Sequence, residues 1–422
     1  MVHPSKRIIG ENSKELLGKK LLLAVTGSVS IYKSIDLART LMRMGAEVYV
    51  MMSKASQKLV SKDMFEWATG NPVVTELTGN IEHVTLAEDL DAMLISPATA
   101  NTIVKLAKGI SDTPILATAL NFIGLRKPVF VVPSMHLPMY NSPQVIEAVS
   151  YLRNIGVHVI EPLIVRDLAH FPDIEFISEF VATILARGKD LDGFKIAVTA
   201  GPTREYLDPV RFMSNPSSGT MGVAIANEAF FRGADVLLIH GPLSSRVKPY
   251  VRNRVEIVTT EEMAEEVKKA VDKGYNVVIL AGAPADFKFK KTFESKVDTH
   301  KNESIVVELQ STPKVSSVAR GRTFLVGFSA ETVDTDEELV EKAKIKRERH
   351  SFDLIVANNV KRKDIGFSSE YDEVYVIGKD FIRKIDKMTK REIARNLLDI
   401  VKEEFKSKYR AMISSGSGSS AR

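Results

Sequence analysis

The sequence contains no cysteine and no long apolar run. Without cysteine the chain cannot form disulfides, thiolate metal sites, iron–sulfur clusters or a cysteine nucleophile. No apolar stretch approaches the length of a membrane span, and the first residues lack the apolar core of a signal peptide. We therefore expect a cytoplasmic protein.

The composition is typical of a globular protein, with 44% hydrophobic and 26% charged residues in a chain of 422. This length exceeds what one hydrophobic core usually serves, so two domains are expected. The net charge of +5 favours anionic partners. Because Lys and Arg are spread along the chain, we expect small anionic molecules as partners, and neither nucleic acid nor a membrane.

Two parts of the chain repeat one pattern. Residues 19–53 contain an apolar strand, a small-residue turn, a helical pattern and a second apolar strand, and residues 194–240 contain the same series. Such units predict a parallel sheet whose ligands bind beyond the carboxyl ends of the strands. We predict an α/β protein of two tandem Rossmann-like domains, at residues 1–188 and 189–412, followed by a flexible tail at 413–422.

The first strand-to-helix turn, VTGSVS, lacks the G-x-G-x-x-G pattern of dinucleotide sites. Gly27 permits a tight turn, and the hydroxyls of Thr26, Ser28 and Ser30 with backbone N–H groups suit a terminal phosphate monoester. A plain turn of small residues explains this stretch equally well. Ser53, after the second strand, has the same two explanations.

Three further features carry a resemblance. The segment SPATANT at 96–102 places polar side chains at a strand end, PSMHLPMY follows at 133–140, and His83 precedes both. Together they resemble the homo-oligomeric flavin-containing cysteine decarboxylases over residues 15–185. The resemblance implies a flavodoxin-like fold, trimers and bound FMN, on which thiol oxidation creates the electron-poor group that decarboxylation needs.

The resemblance also implies roles for individual residues. His83 is expected to guide the thiol proton. His136 stands where the family has asparagine and is expected to be catalytic, binding the substrate carboxylate, while Met135 and Met139 on either side are expected to contact the substrate. The flap before the linker has no cysteine to donate a proton, which leaves His170 and water as alternatives. The residues expected to hold FMN are Gly27, Ser28, Ser30, Ser53, Thr99, Asn101 and Thr102.

The second half contains a longer signature, TAGPTREYLDPVRFMSNPSSGTMG, at 199–222. With STPKV, VGFSAET and DLIVANN in the same order further on, it resembles the ligase half of the bifunctional phosphopantothenoylcysteine decarboxylase/phosphopantothenate–cysteine ligase family over residues 194–400. The resemblance implies that CTP converts 4′-phosphopantothenate to an acyl-cytidylate, from which cysteine displaces CMP. The choice of CTP over ATP rests on the resemblance alone. Relatives of this half are dimers, so a homo-oligomer, up to a dodecamer, would satisfy both halves.

The residue types of this signature favour an anion site. Backbone N–H groups of residues 218–221 lie at a predicted helix start, where unpaired donors and the helix dipole attract phosphate. Gly219 allows close approach of a ligand, and Ser217 or Ser218 can cap the helix. Arg211 offers a planar fork for the phosphate of phosphopantothenate.

The resemblance implies catalytic roles for Asn215, which holds the acyl-cytidylate, and for Lys296, which neutralises phosphate charge. The residues expected to bind CTP are Ser218, Gly219, Thr220, Met221, Gly282, Asp286, Lys296, Phe328 and Lys346. A solvated helix face is the alternative explanation of Lys346. Family lysines are replaced here by Thr220, Asp298, Thr299 and His350. Because a triphosphate reacting with a carboxylate needs charge shielding, we expect Mg²⁺, with its protein ligands unassigned.

Three other functions are compatible with parts of the sequence. A nicotinamide-dependent oxidoreductase would explain tandem β-α-β units, but the glycine pattern and a ribose-binding acid are missing. A non-enzymatic flavoprotein that regulates a partner would leave the ligase signature unexplained. A ligase with a catalytically idle flavin half is motivated by His136 and by the flap without cysteine.

Overall fold

The computed structural model describes residues 3–165, 168–298, 304–362, 364–366 and 369–416. Its internal contacts divide the chain into two compact units, Met1–Ala186 and Arg187–Arg422. The predicted domain boundary after residue 188 lies two residues from this division.

The first unit is a parallel sheet with helices on both faces. Its strands are β1 Lys20–Val25, β2 Glu47–Met52, β3 Val73–Val74, β4 Ala92–Ala98, β5 Val129–Pro133, β6 Met135–His136, β7 His158–Val159, β8 Leu163–Val165 and β9 Leu168–His170. Its helices are α1 Tyr32–Arg43, α2 Lys62–Thr69, α3 Glu82–Asp89, α4 Ala100–Ala107, α5 Pro114–Gly124, α6 Leu137–Tyr140, α7 Pro143–Asn154 and α8 Ile174–Arg187. The main sheet has the spatial order β3-β2-β1-β4-β5-β7, and all its pairs are parallel.

Burial on both faces explains why these strands are apolar without alternation. In β1 every residue from Leu21 to Val25 is buried. One face of the sheet packs against α1 and α8 through Leu37 and Val181. The other packs against α4 and α5 through Ile103 and Phe122. Polar groups are therefore confined to the strand ends and the turns that follow them.

The second unit is a larger sheet, also covered on both faces. Its strands are β10 Lys195–Ala200, β11 Arg204–Tyr206, β12 Phe212–Ser214, β13 Asp235–His240, β14 Arg254–Glu256, β15 Val277–Leu280, β16 Phe287–Phe289, β17 Leu309–Ser311, β18 Phe324–Glu331, β19 Leu354–Asn359, β20 Tyr371–Ile377 and β21 Ile382–Thr389. Its helices are α9 Thr220–Phe231, α10 Thr260–Asp272, α11 Asp336–His350 and α12 Lys390–Gly416. The main sheet has the spatial order β14-β13-β10-β15-β18-β19-β20-β21.

Both main sheets use the same order for their parallel strands. Counted along the chain within each unit, that order is 3-2-1-4-5-6, the doubly wound arrangement in which ligands bind where the winding reverses. The prediction of two tandem Rossmann-like α/β domains is confirmed. The second sheet is mixed rather than purely parallel, because β20 and β21 run antiparallel to their neighbours.

The lengths of the helices test two predictions, that residues 413–422 form a flexible tail and that the chain has no membrane span. Helix α12 ends at Gly416, so residues 413–416, predicted as part of a flexible tail, are helical instead. Residues 417–422 lie outside the described residues. Within the described ranges, no helix combines the length and the apolar character that crossing a bilayer requires.

A buried arginine joins α9, α12 and the segment before β10. Arg232 has no exposed surface, and its guanidinium donates to both carboxylate oxygens of Asp190 at 2.7 and 2.8 Å and to Asp399 at 2.8 Å. Lys402 Nζ lies 2.5 Å from Asp190. Burial opposes ionisation of Asp190, but the hydrogen bonds from Arg232 and Lys402 outweigh it and lower the pKa of the carboxyl group.

We expect Asp190→Asn to lower the free energy of unfolding of the second unit by about 3 kcal/mol, because Arg232 stays buried without its main counter-charge. The matched control is Glu403→Gln on α12, whose partner Arg383 is exposed. This control should cost less than about 1 kcal/mol. Hydrogen exchange of the α12 amides across a urea series measures both losses.

The loss for Asp190→Asn should shrink in acid. Because the folded-state pKa of Asp190 lies below its ordinary value, its stabilising contribution is complete above that ordinary value and disappears as the pH falls through the folded-state pKa. Equal losses for the two variants at neutral pH, or a loss independent of pH, would contradict this account.

Candidate functional site

A cavity lies at the carboxyl edge of the second sheet, where ligands bind in doubly wound sheets. Its volume is about 410 Å³. The described residues that line it are Thr199, Asn215, Pro216, Ser217, Ser218, Gly219, Thr220, Met221, Met263, Leu280, Ala281, Gly282, Ala283, Pro284, Asp286, Lys314, Val315, Ser316, Phe328, Ala330, Lys346, His350, Phe352, Asn358, Val360, Gly366, Asp372, Val374 and Lys390. The structure thus brings together Asn215 and eight of the nine residues predicted to bind CTP, with Lys296 as the exception.

The turn from β10 into α9 forms one wall of this cavity. Gly219 is the N-cap of α9 with φ 80°, a left-handed conformation that favours glycine. A Cβ at this position would lie 2.3 Å from Leu243 Cδ2. Gly219, rather than Ser217 or Ser218 as predicted, is the N-cap, and the two serine hydroxyls accept N–H bonds from Gly219 and Thr220 at 3.3 and 3.4 Å. The first turn of α9 supplies further N–H groups that have no acceptor within the helix.

Asn215 connects this turn to the loop after β15. Its Nδ2 donates to the carbonyl oxygens of Ala283 and Pro284 at 3.2 and 3.0 Å. The backbone carbonyl oxygen of Asn215 accepts a hydrogen bond from the Ser217 N–H at 2.9 Å. The side chain is exposed and lines the cavity. It is therefore held where an amide can contact a ligand that enters.

Lysines line the wall on the side of α11. Lys314 Nζ lies 2.5 Å from Asp286, and Lys346 Nζ donates to Ser329 Oγ at 3.2 Å. Burial lowers the pKa of Lys346, against the opposing effect of Glu331 and Asp286. A bound polyanion would reverse this shift by supplying negative charge.

His350 extends the same wall. Its ring stacks on Phe352 at 5.5 Å between centroids, and its Nδ1 lies 3.0 Å from Ser316 Oγ. Burial, followed by the charges of Lys346 and Lys314, lowers the pKa of His350. The three side chains form a wall whose charged state an anionic ligand would stabilise.

A second polar cluster lies where β19 and β20 meet the start of α12. Asp372 is 4% exposed and accepts Asn358 Nδ2 at 3.2 Å on each carboxylate oxygen. Lys390 is also 4% exposed, and its Nζ donates to the Gly366 carbonyl at 2.7 Å. Burial raises the pKa of Asp372 and lowers that of Lys390. All four residues line the cavity.

Arg211 and Lys296, both predicted to act on the substrates, are not among the described residues that line the cavity. Arg211 Nη1 pairs with Asp208 at 2.7 Å and donates to the Val297 carbonyl at 3.1 Å. Burial opposes ionisation of Asp208, but N–H bonds from Val210, Arg211 and Val297 lower its pKa to about 2. Asp208 thus ties the loop of Arg211 to the segment that carries Lys296.

In the first unit, hydroxyl groups from the ends of β1 and β5 meet, and a backbone N–H after β4 joins them. The hydroxyl of Ser134, after β5, lies 3.1 Å from that of Ser28 and 2.8 Å from that of Ser30. Thr26 Oγ1 accepts the Thr99 N–H at 3.1 Å, which joins the turns after β1 and β4. The predicted phosphate-type site therefore consists of clustered hydroxyls at the carboxyl edge of the sheet.

The other residues predicted to hold FMN lie on adjoining turns. The Ser53 hydroxyl accepts an N–H within the turn after β2 at 3.1 Å. The Thr102 N–H donates to the α4 N-cap hydroxyl at 3.4 Å, and Asn101 beside it is exposed. A Cβ on Gly27 would lie 2.6 Å from Ala55 Cβ, so the contact between the turns after β1 and β2 requires glycine.

His83 lies in the first turn of α3. Its Nδ1 is buried and has no hydrogen-bond partner within the described part of the chain. Such a nitrogen is costly unless a ligand or another polar group satisfies it. This environment fits a ring that acts on a bound molecule.

The predicted substrate flap is a hairpin. Strands β8 and β9 pair with each other, and β9 also pairs with β6, so that Met135–His136 and the flap form one three-stranded antiparallel sheet. The His136 side chain is exposed, and Met139 in α6 is half exposed. The side chain of His170 lies outside the described residues.

Sequence reasoning missed several polar residues at these sites, namely Ser134, Lys314, Asn358, Asp372 and Lys390. Ser134 and Asn358 lie at strand ends within segments that carried the resemblance, and the rule that ligands bind beyond strand ends could have identified them. No sequence pattern around Asp372 or Lys390 indicates that these residues lie at a ligand site. They reach the cavity because β20 runs antiparallel and α12 begins at the same edge.

Comparison with protein families gives two matches that divide the chain at the same place. Residues 9–186 match the family described as Flavoprotein. Residues 191–405 match the DNA/pantothenate metabolism flavoprotein C-terminal domain. Together the two models span both units.

Curated relatives match almost the whole chain. The coenzyme A biosynthesis bifunctional protein CoaBC of Thermococcus kodakarensis is 43% identical, covering 96% of this chain and 100% of its own length. That of Methanocaldococcus jannaschii is 33% identical, covering 96% and 99%. A crystal structure of the C-terminal domain of such a protein is 31% identical with a TM-score of 0.43, covering 52% of this chain and 99% of that chain.

We expect Gly219→Ala to weaken CTP binding at least tenfold, because the added Cβ would displace either the α9 turn or Leu243. The matched control is Gly274→Ala, which has φ 82° and no atom within 4 Å of the added Cβ. Both variants should lose about 1 kcal/mol of stability. Calorimetric titration with CTP compares them, and equal CTP affinities would show that the turn does not shape the site.

Proposed function

The chain belongs to the family of coenzyme A biosynthesis bifunctional proteins, and from this membership and the geometry of the two units we propose which residues perform each reaction. Its function is coenzyme A biosynthesis through a ligase and a phosphopantothenoylcysteine decarboxylase carried on one chain. The second unit joins cysteine to 4′-phosphopantothenate, and the first decarboxylates the product.

The cavity of the second unit is proposed to be the ligase site. The observation that supports this most strongly is the meeting of the α9 start, Asn215 and the wall of Lys314, Lys346 and His350 around one cavity. A helix start attracts phosphate oxygens, and the lysines neutralise a triphosphate. The Asn215 amide would then orient the acyl-cytidylate for attack.

Mg²⁺ is proposed to enter this site with the nucleotide. The described residues contain no group of three or more His, Asp or Glu side chains placed to hold a metal together. Mg²⁺ characteristically binds substrate phosphates and water with one or two carboxylates. Asp286, which lines the cavity beside Lys314, is the proposed carboxylate, and the ion would shield charge between the carboxylate of phosphopantothenate and the α-phosphate.

FMN is the proposed cofactor of the first unit, and the residues fit it. The clustered hydroxyls of Ser28, Ser30 and Ser134 offer donors to a terminal phosphate, and the tight turn at Gly27 brings backbone close to the same place. Thr99 and Thr102 at the start of α4 would contact the remainder. Bound FMN would supply the reversible oxidation that decarboxylation of a cysteinyl carboxylate needs.

His83 and the flap sheet are proposed to serve the substrate of the first unit. The Nδ1 of His83 is buried without a partner among the described residues, and the ring would accept or guide the thiol proton. His136 would donate a hydrogen bond to the substrate carboxylate, with the flap hairpin paired beside it through β9. Met135 and Met139 would pack against the substrate.

A homo-oligomer is proposed to complete the ligase site. Arg211 and the segment of Lys296 are tied together by Asp208, and neither residue is among the described residues that line the cavity. Exposed Val210 and Phe293 lie in the same two segments. These groups would therefore contact phosphopantothenate across a subunit interface, with trimers formed through the flavin units.

The two reactions should separate by mutation. Asn215→Ala should slow pyrophosphate release from CTP and 4′-phosphopantothenate by about 10²-fold or more. It should leave carbon dioxide release from supplied 4′-phosphopantothenoylcysteine unchanged. His83→Asn should show the opposite pattern, with about 10²-fold slower decarboxylation and normal ligation. Formation of 4′-phosphopantetheine from phosphopantothenate, cysteine and CTP measures both steps together.

Several outcomes of this experiment would contradict the proposal. No carbon dioxide from the wild-type protein with FMN bound would favour a ligase with an idle flavin unit. Loss of both reactions in either variant would mean that the assigned residues act structurally. Mixing Asn215→Ala with Arg211→Ala chains tests the assembly, because ligation should recover only if the two residues act from different chains.

FMN retention should depend on Ser134. Ser134→Ala removes the hydroxyl that bridges Ser28 and Ser30, and we expect about tenfold weaker FMN binding. Ser150→Ala, on the exposed surface of α7, is the matched control. Flavin fluorescence during titration of the apoprotein measures the affinity, and unchanged binding would place the phosphate elsewhere.

A further inference from the structure

A row of buried polar side chains is connected to the loop that follows β15. This buried polar row consists of Thr203 before β11, Glu205 in β11 and Thr260 at the start of α10. Thr203 has no exposed surface, and Thr260 and Glu205 are 1% and 4% exposed. None of the three is among the described residues that line the cavity. Because buried polar groups cost free energy unless they are hydrogen bonded, the partners of these side chains indicate what they do.

The buried polar row begins at the carboxyl group of Glu205. Its Oε1 accepts two hydrogen bonds from Thr260, one from the backbone N–H and one from the hydroxyl, both at 2.9 Å. Thr260 is the first residue of α10, so an acidic side chain lies at the positive end of that helix. The Thr260 hydroxyl also lies 2.9 Å from the hydroxyl of Thr203.

The row ends at Ala285 in the loop after β15. The Ala285 N–H donates to Thr203 Oγ1 at 2.9 Å, and the Ala285 carbonyl accepts the Thr312 hydroxyl at 2.6 Å. Since Thr260 gives its hydroxyl proton to Glu205, its oxygen can accept the hydroxyl proton of Thr203. The hydrogen bonds then run in one direction, from the loop to the carboxyl group, and bonds in such a chain strengthen one another.

This loop holds the side chain of Asn215. The carbonyl oxygens of Ala283 and Pro284 accept the Asn215 amide at 3.2 and 3.0 Å. Ala285 is the next residue, and Asp286 after it lines the cavity. Because the Asn215 side chain is exposed, its direction in the cavity depends on where these two carbonyls lie.

We propose that Glu205, Thr260 and Thr203 are positioning residues of the ligase reaction, which hold the loop after β15 so that it orients the Asn215 amide. This inference rests on the role proposed above for Asn215. Thr203 has a second connection to that residue, because its backbone carbonyl accepts the hydroxyl of Ser214 at 2.7 Å. The loop and the segment of Asn215 are therefore both tied to one buried threonine.

The experiment compares paired variants in the full chain. Thr203→Val removes the hydroxyl and keeps the shape of the side chain, whereas Thr203→Ser keeps the hydroxyl. Each is made alone and together with Asn215→Ala. Exchange of labelled pyrophosphate into CTP, dependent on 4′-phosphopantothenate, reports acyl-cytidylate formation. Calorimetric titration with CTP gives the affinity and the fraction of intact sites.

The control is Thr323→Val. The Thr323 hydroxyl is also buried and donates to the Tyr275 carbonyl at 3.2 Å, but it precedes β18 and so lies at the end of that strand opposite the cavity. The same change in the same kind of environment therefore leaves the loop after β15 untouched.

Thr203→Val should slow pyrophosphate exchange at least about tenfold, because a displaced amide no longer orients the acyl-cytidylate. CTP affinity should stay within about threefold of wild type, since the change affects catalysis rather than nucleotide binding. Thr203→Ser and Thr323→Val should exchange at nearly the wild-type rate. In the Asn215→Ala background, Thr203→Val should cause no further loss, because the amide that the loop orients is already absent.

The carboxyl end of the row has its own pair of variants. Glu205→Gln keeps an oxygen that can accept both hydrogen bonds from Thr260, and its exchange rate should stay within about fivefold of wild type. Glu205→Leu removes the acceptor and should behave as Thr203→Val does, including the absence of a further effect in the Asn215→Ala background.

Four results would overturn the proposal. If Thr203→Val slows exchange by the same factor with and without Asn215→Ala, the hydroxyl does not act through Asn215. If the exchange rate falls only in proportion to the number of CTP sites, the row serves the fold. Failure of Thr203→Ser to restore the rate would exclude the hydroxyl as the cause, and a wild-type rate in Thr203→Val would exclude the row. A wild-type exchange rate in Asn215→Ala alone would instead refute the role proposed for Asn215.

Discussion

The close packing of α9 against the end of β10 is the constraint on which the ligase cavity depends. Gly219 turns the chain in a left-handed conformation, and a Cβ on Gly222 would lie 2.6 Å from the carbonyl oxygen of Thr199. Side chains at either position would push the helix away from the sheet. Because the helix begins directly above the strand end, its N–H groups and Asn215 face the same space as the ends of β15, β18 and β19.

Two groups of buried charge in the second unit have opposite properties. Around Arg232, each charged partner is hydrogen bonded, and the pKa of Asp190 is shifted so that its charge is favoured. Around the cavity, burial shifts the pKa values of Lys346, Lys390 and Asp372 towards the neutral forms. Such shifts are common at functional sites. The first group joins α9 and α12 to the segment before β10, whereas the second lines the cavity.

The sequence was most informative where one contiguous segment forms a site. The strand–turn–helix patterns at β1 and β10, and the residues from Asn215 to Met221, could be located because strand ends and helix starts are encoded locally. Asp372 and Lys390 could not be located from sequence. They reach the cavity because β20 runs antiparallel to β19, so that β20 begins at the edge where the parallel strands end. The positions of Arg211 and Lys296 also differ from expectation. A motif identifies residue types for a reaction, but it does not specify whether they act within their own chain.

The common strand order of the two units does not determine their ligands, and the residue types at the sheet edges do. In the first unit neutral hydroxyls of Ser28, Ser30 and Ser134 collect at the edge, which suits a tightly held phosphate monoester that need not react. In the second unit the edge carries charged side chains, which would suit a triphosphate that changes its charge during a reaction and is then released. A site of charged groups on several elements can respond to such changes more readily than a turn of hydroxyls. The edge of the first sheet therefore suits a cofactor that stays bound, and the edge of the second sheet suits a substrate that is consumed.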